Sequence, residues 1–273
     1  MLTVLLCAAP AWAAGAQDGR QAAAELAADN GWQLYRTQAA GFLLTTYSRF
    51  DEPSKPSLVI YIEGDGYPWK TRTELSDDPT PTHPRTLELA VEDPAPNKVY
   101  IARPCQYLDP AELAHCPSDF WSSSRYAPQV IDAIDLAITR FVGGTGARHV
   151  RLVGYSGGGL IAALIAERRD DVEELVTVAA NLDHKAWTDL QGVTPLEGSL
   201  NAADVAAQIE HVPQIHFVGA DDTNVPLSVV EAYVARMDDT SSTEIVVVDG
   251  MSHNCCWTEV WPDLLAAQGI GGD

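Results

Sequence analysis

Ser156, His253 and a pair of neighbouring aspartates, Asp221 and Asp222, are the residues whose types and order could do chemistry together. A serine hydroxyl is a poor nucleophile near neutral pH. It becomes a good one when an imidazole takes its proton and a carboxylate orients the ring and stabilises the resulting imidazolium. The three types follow one another here as serine, acid, histidine. Ser156 lies in Gly154-Tyr155-Ser156-Gly157-Gly158, between the apolar run His149-Val150-Arg151-Leu152-Val153, which reads as a buried strand, and an alanine-rich helix. Strand, sharp turn and helix are the setting of a nucleophile elbow, whose glycines let the backbone bend tightly and keep side chains away from the hydroxyl. The chemistry expected of these residues is attack on an acyl carbonyl, transfer of the acyl group to the serine, and release by water.

Such residues need elements that bring them together. Leu58 to Ile62, Lys98 to Ala102, Val150 to Val153, Leu175 to Val178, Ile215 to Val218 and Ile245 to Val248 are short β-branched runs, as expected of strands covered on both faces. Pro128 opens a helix over Gln129 to Phe141, in which Val130, Ile131, Ile134, Ala137 and Ile138 recur at helical spacing; Leu160 to Arg169 and Leu227 to Met237 read the same way. Trp32 to Thr37 and Phe42 to Tyr47 are weaker strands, expected as an antiparallel pair at one edge. This alternation predicts the α/β class, with a mostly parallel twisted sheet and helices on both faces. In such sheets ligands bind beyond the carboxyl ends of the strands. Ser156, the segment Gly219-Ala220-Asp221-Asp222-Thr223-Asn224-Val225-Pro226, and Gly250-Met251-Ser252-His253 each follow a predicted strand.

The chain has 273 residues, 46% of them hydrophobic, enough for one large domain with a substantial core. Its 38 acidic and 17 basic residues give a formal charge of −21, which repels nucleic-acid phosphates and anionic membranes. No nucleic-acid partner is expected. His83, His115, His149, His211 and His216 show no ligand spacing, and no phosphate-binding glycine pattern occurs, so neither a metal nor a cofactor is expected. An apolar run from Leu2 to Leu6, followed by Ala11-Trp12-Ala13, reads as a signal peptide over residues 1–16, with a domain over 17–273 exported to the periplasm or medium. Cys7 follows the bulky Leu6, which argues against a lipid anchor, and nothing approaches the roughly 20 apolar residues of a membrane span. Four further cysteines suit an oxidising compartment. Cys105 and Cys116 flank an irregular loop that a bridge would staple, whereas Cys255 and Cys256 form either a vicinal disulfide or a reduced pair.

From about Trp32 onward the chain resembles the α/β-hydrolase family, in which the nucleophile stands on a strand-to-helix elbow and the order is serine, acid, histidine. Tyr61-Ile62-Glu63-Gly64-Asp65-Gly66, Ala102-Arg103-Pro104-Cys105-Gln106-Tyr107, Asn181-Leu182-Asp183-His184 and Ser252-His253-Asn254-Cys255-Cys256-Trp257 are similar to a poorly characterised group of exported bacterial members. The resemblance implies a single α/β-hydrolase domain with Ser156 as nucleophile and His253 as base. The family's G-x-x-D-x-x-V-P arrangement aligns with Gly219, Asp222, Val225 and Pro226, which favours Asp222 over Asp221 as the acid; a plain helix-capping role for Asp222, and His184 in place of His253, stand as alternatives. The implied oxyanion donors are the N–H groups of Gly157 and Asp65, with Gly66 as the substitute for Asp65. Glu63 departs from the histidine many relatives carry before this glycine. Tyr155, Gly66, Trp121 and His184 are expected to contact substrate, and Trp69, Tyr107 and Trp187 are further aromatic candidates. Between Asn181 and Pro213 there is room only for a small cap. The function implied is hydrolysis of carboxylic esters of small acyl substrates through an acyl-enzyme. A peptidase, amidase or thioesterase on the same fold, or a catalytically silent binding protein, are the alternatives.

Overall fold

Leu58, Ile60 and Ile62 point to one side of their strand and Val59 and Tyr61 to the other, and none is more than 4% exposed. A strand buried on both sides belongs inside a sheet with a layer of helices on each face. The computed structural model, which describes residues 11–271, has this architecture in one domain. Its elements in chain order are α1 (Ala11–Asp29), β1 (Gln33–Ala39), β2 (Phe42–Phe50), β3 (Ser57–Ile62), α2 (Arg85–Glu92), β4 (Asn97–Ile101), α3 (Pro110–Leu113), α4 (Pro128–Thr145), β5 (His149–Tyr155), α5 (Gly157–Ala166), β6 (Val172–Val178), α6 (His184–Gln191), β7 (Gln214–Gly219), α7 (Leu227–Val234), β8 (Thr243–Val248) and α8 (Trp257–Ala267).

The eight strands lie in the order β1-β2-β4-β3-β5-β6-β7-β8. β2 is antiparallel to both neighbours, and every pair from β4 to β8 is parallel. One face is covered by α4, α5 and α7, whose Ile131, Ile134, Leu160, Ile161 and Val230 pack on Leu58, Ile60, Leu152 and Leu175. The other is covered by α1, α2 and α8, whose Ala23, Leu87, Leu89, Trp261 and Leu265 pack on Val59, Tyr61, Val153, Val176 and Phe217. Each such buried aliphatic side chain stabilises the fold by roughly 1.5–3 kcal/mol before conformational entropy is counted. Every residue of α5 is buried, so its composition is apolar all round, and its alanines and glycines let it sit close to the sheet.

The six predicted strand runs fall in β3 to β8, and the weaker pair forms the antiparallel edge β1–β2. Helices α1, α2, α6 and α8 had no counterpart in the sequence reading. Most of the leader expected over residues 1–16, Cys7 included, lies outside the described residues; Ala11–Ala16 open α1. That helix is seated by buried Ala16, Ala23 and Ala27, by an Arg20–Asp78 ion pair, and by Gly19, where a Cβ would meet the Pro81 carbonyl oxygen at 2.0 Å. Cys105 is bridged to Cys116, and Cys255 to Cys256. Between Asn181 and Pro213 the chain forms only α6 and two short 3-10 turns, a small cap. Among the described residues no helix is long and apolar enough to cross a membrane.

Candidate active site

The parallel strands deliver their carboxyl ends to one edge of the sheet, and the segments after β3, β5, β7 and β8 meet there. Ser156 occupies the turn between β5 and α5 with φ 52° and ψ −122°. A non-glycine residue in such a conformation costs on the order of 1–3 kcal/mol and needs its surroundings to hold it. Here Ser156 N–H donates to the Val178 carbonyl at 2.9 Å, and the Ser156 carbonyl accepts from Gly159 N–H at 3.1 Å and Asn181 N–H at 3.2 Å. The bend also needs bare backbone on either side. A Cβ on Gly154 would lie 2.4 Å from the Gly158 carbonyl oxygen, and one on Gly158 would lie 2.1 Å from that of Ile62.

Ser156 Oγ is 3.1 Å from His253 Nε2, and His253 Nδ1 is 2.8 Å from Asp222 Oδ2. The Asp222 side chain is fully buried and that of His253 is 12% exposed. The other carboxylate oxygen of Asp222 accepts from Asn224 N–H at 2.9 Å and Val225 N–H at 2.8 Å. Asp222 therefore both shapes the turn before α7 and meets the imidazole. Asp221 is exposed; its N–H donates to the Met251 carbonyl at 2.9 Å, tying the β7 loop to the loop that carries His253. Tyr155 grips the same loop, its hydroxyl donating to the His253 carbonyl at 2.6 Å.

The loop after β3 lies beside the elbow. Glu63 is turned away from it: its carboxylate is buried, accepting from Gly64 N–H, Thr86 Oγ1 and Tyr100 OH. Burial pushes the Glu63 carboxyl above its ordinary pKa, with those hydrogen bonds opposing. Asp65 lies against Gly157, where a Cβ would meet its Oδ1 at 2.2 Å. Its carboxylate accepts from Arg103 at 2.9 Å, from Arg125 at 3.0 Å and from Tyr126 OH. Burial would raise the Asp65 pKa; Arg125 and Arg103 outweigh it and hold the carboxyl below its ordinary value. The charge beside the elbow is thus neutralised. Among the described residues nothing accepts from Asp65 N–H, and Gly157 N–H opens α5, where no intrahelical acceptor exists.

These groups line a cleft of about 960 Å³, with Ser156 and His253 among aromatic walls from Tyr67, Trp69, Tyr155 and Trp187. Gly66 lines it too, with φ 70° and the Pro79 carbonyl oxygen where a Cβ would stand. Two expected contacts are not there. Trp121 is buried away from the cleft, its Nε1–H donating to the Ser76 carbonyl at 3.0 Å, because its 3-10 turn folds under the 67–78 segment. His184 is buried in the first turn of α6 and stacked on Tyr126 at 5.9 Å; burial, then the Lys185 charge, lower its pKa. Its neighbour Asp183 caps α6. Tyr107 is buried among Tyr100 and Glu63 and is likewise not a wall.

Nothing in the sequence singled out Arg72 and Arg85 in the wall, or the grip of Arg103, Arg125 and Tyr126 on Asp65. It named Asn181 only as part of a motif; the structure puts this residue in the cleft, 3% exposed, with Oδ1 unpaired. Among the described residues no group of three or more His, Cys, Asp or Glu could hold a metal ion.

No protein-family model and no curated protein matches the chain. Solved structures do. The esterase Pf2001 of Pyrococcus furiosus superposes with a TM-score of 0.62 at 12% identity, over 89% of this chain and 92% of that one. Est1E of Butyrivibrio proteoclasticus gives 0.58 at 14% identity, over 86% and 98%. A puromycin-hydrolyzing peptidase of Mycobacterium tuberculosis gives 0.61 at 13% identity, over 87% of this chain but only 38% of the peptidase. At these identities the likeness is one of architecture, and the architecture is the α/β-hydrolase fold.

Proposed function

We propose that this α/β-hydrolase-fold chain is a serine hydrolase acting on small carboxylic esters. The observation that carries the reading is the hydrogen-bonded series Ser156 Oγ, His253 Nε2, His253 Nδ1, Asp222 Oδ2 in the floor of an open cleft. Ser156 Oγ attacks the ester carbonyl as its proton passes to His253 Nε2, and Asp222 steadies the imidazolium. The oxyanion of the tetrahedral intermediate takes hydrogen bonds from Gly157 N–H and Asp65 N–H, each worth about 3 kcal/mol of barrier. His253 gives its proton to the departing alkoxide. Water then attacks the acyl-enzyme with His253 as base, releasing the acid and restoring Ser156.

One observation supports esters over amides: two of the similar structures are esterases. The small cap argues against a deep lidded lipase tunnel. The similarity to a puromycin-hydrolyzing peptidase keeps amide cleavage as the second reading. The two disulfides and Ala11-Trp12-Ala13 support action in an oxidising compartment after export.

A fluorophosphonate probe should label wild-type protein at Ser156 and leave Ser156→Ala unlabelled, and 4-nitrophenyl butyrate should be hydrolysed faster than a peptide anilide or an acyl thioester. Folded wild-type protein that neither labels nor turns over these substrates would make the chain a binding protein on a hydrolase scaffold.

A further inference from the structure

Acidic residues outnumber basic ones by 38 to 17 in the chain, yet the wall of the cleft reverses the ratio. Lys70, Arg72, Arg85 and Arg125 line it, against Glu63 and Asp65 alone. Most of these charges are already engaged. Arg125 is paired with Asp65, Lys70 with Glu74 and Asp77, and the Glu63 carboxylate is hydrogen-bonded in the interior. Arg72 and Arg85 are different: among the described residues neither has a carboxylate within 4.0 Å.

In a molecule with so many surplus carboxylates, most arginines have found one, among them Arg20, Arg36, Arg49, Arg151, Arg168 and Arg169. Arg85 is half-buried at the start of α2, and Glu88, one turn on, is engaged by Thr258 instead. With Tyr155 and Asn254 it also borders a smaller recess of about 340 Å³, walled by Leu89, the Cys255–Cys256 bridge and Trp257, with Thr258 and the exposed Glu259 at its other side. An acyl chain running from a carbonyl held at Ser156 Oγ along Tyr155 has the aromatic ring beside it and the Arg85 guanidinium at the border that the cleft and the recess share.

We propose that the substrate carries a free carboxylate, bound by Arg85 at the border of the recess with Arg72 on the outer rim of the cleft. This rests on the serine-hydrolase reading above and names its substrate class. A guanidinium fork matches a carboxylate with two parallel hydrogen bonds, which gives it both affinity and orientation. The overall charge of −21 does not override this contact, because at about 0.1 M salt charges beyond about 10 Å are largely screened.

The test compares mono-4-nitrophenyl glutarate and adipate with 4-nitrophenyl butyrate and hexanoate. At least one hemiester should have a kcat/KM about tenfold or more above its neutral counterpart, and Arg85→Ala should remove that advantage by lowering the hemiester's kcat/KM about tenfold more than the neutral ester's. Arg72→Ala alone should reduce the advantage by a smaller factor than Arg85→Ala does. Raising salt from about 20 to about 500 mM should shrink the advantage, since the contact is ionic. Hemiesters no better than neutral esters, or an Arg85→Ala variant that moves both alike, would overturn the proposal while leaving the hydrolase reading intact. If the hydrolase reading itself fails, with no labelling and no turnover, binding of monomethyl glutarate followed by tryptophan fluorescence still decides the matter. Arg85-dependent binding supports the carboxylate site, and its absence sinks it.

Discussion

The hydroxyl of Tyr155 donates to the main-chain carbonyl of His253 at 2.6 Å, and the two rings lie with centroids 5.6 Å apart. The residue just before Ser156 therefore holds the loop that carries His253, across strands that are not neighbours in the sheet. Replacing Tyr155 by Phe removes the hydroxyl's contacts with the His253 carbonyl and Asn254 Oδ1, worth about 1 kcal/mol, and should lower kcat about fivefold and the melting temperature by about 2–4 °C. Kinetics with 4-nitrophenyl butyrate and a thermal melt check this. An unaltered kcat would mean that the ring contact alone places the imidazole.

Within the proposed relay the roles should separate cleanly. Ser156→Ala and His253→Ala should lower kcat by about 10⁴-fold or more, and Asp222→Asn by a comparable factor through loss of the correct tautomer. Asp221→Ala and His184→Ala should retain most activity, because one is exposed and the other stacks on Tyr126. A dead Asp221→Ala with an active Asp222→Asn would reverse the assignment of the acid.

Asp65→Asn should cost stability before it costs chemistry. The change strips two guanidiniums, with side chains 4% and 7% exposed, of their common anion, and leaving buried charges unpaired costs about 3–5 kcal/mol. Because the folded-state pKa of Asp65 lies below its ordinary value, its contribution is complete above the unfolded pKa and is lost as pH falls through the folded one. Urea unfolding should show wild type losing part of its margin over the variant below about pH 4. A constant margin would mean that the carboxylate is not the group holding the arginines.

His216 should set a second acid sensitivity, at higher pH. It is fully buried in β7, bonded through Nδ1 to Thr177 Oγ1 at 2.8 Å, and burial pushes its pKa down to about 3. The unfolded chain, with an imidazole near pH 6.5, binds the extra proton first, so this stability is complete above about 6.5 and lost as pH falls. The loss should approach about 1.4 kcal/mol per pH unit, or roughly 2 kcal/mol by pH 5. His216→Phe, which keeps a ring against Tyr233, should flatten the slope whatever its stability at pH 7. Parallel curves for the two proteins would assign the slope to other groups.

The strands were legible because a twice-covered strand must be a short apolar run, and β3 to β8 are such runs. Ser156, Asp222 and His253 were legible for a related reason: each follows a run, and parallel strands bring those ends to one edge. Side-chain direction was not. Trp121, ending a 3-10 turn, and His184, opening α6, lie in the right region, but a hydrogen bond to Ser76 and a stack on Tyr126 turn them inward. The partners of Asp65 were hidden because they lie 38, 60 and 61 residues away in sequence. Helix α8 escaped because Pro262 interrupts its pattern, and α1 because its first residues read as part of a leader.

The clasp on Asp65 bears on how the protein can diversify. One carboxylate joins the loop after β3 to Arg103 after β4 and to Arg125 and Tyr126 before α4, with Asp65 and the Tyr126 hydroxyl against Gly157. An insertion in any of these three stretches would be felt at the proposed oxyanion donors, so their lengths are coupled. The stretches Tyr67–Leu75 and Val193–Leu196 also line the cleft yet hang outside this clasp. Changes of substrate by drift or by design should accumulate in those two stretches, since there the rim can be rewritten without disturbing the serine.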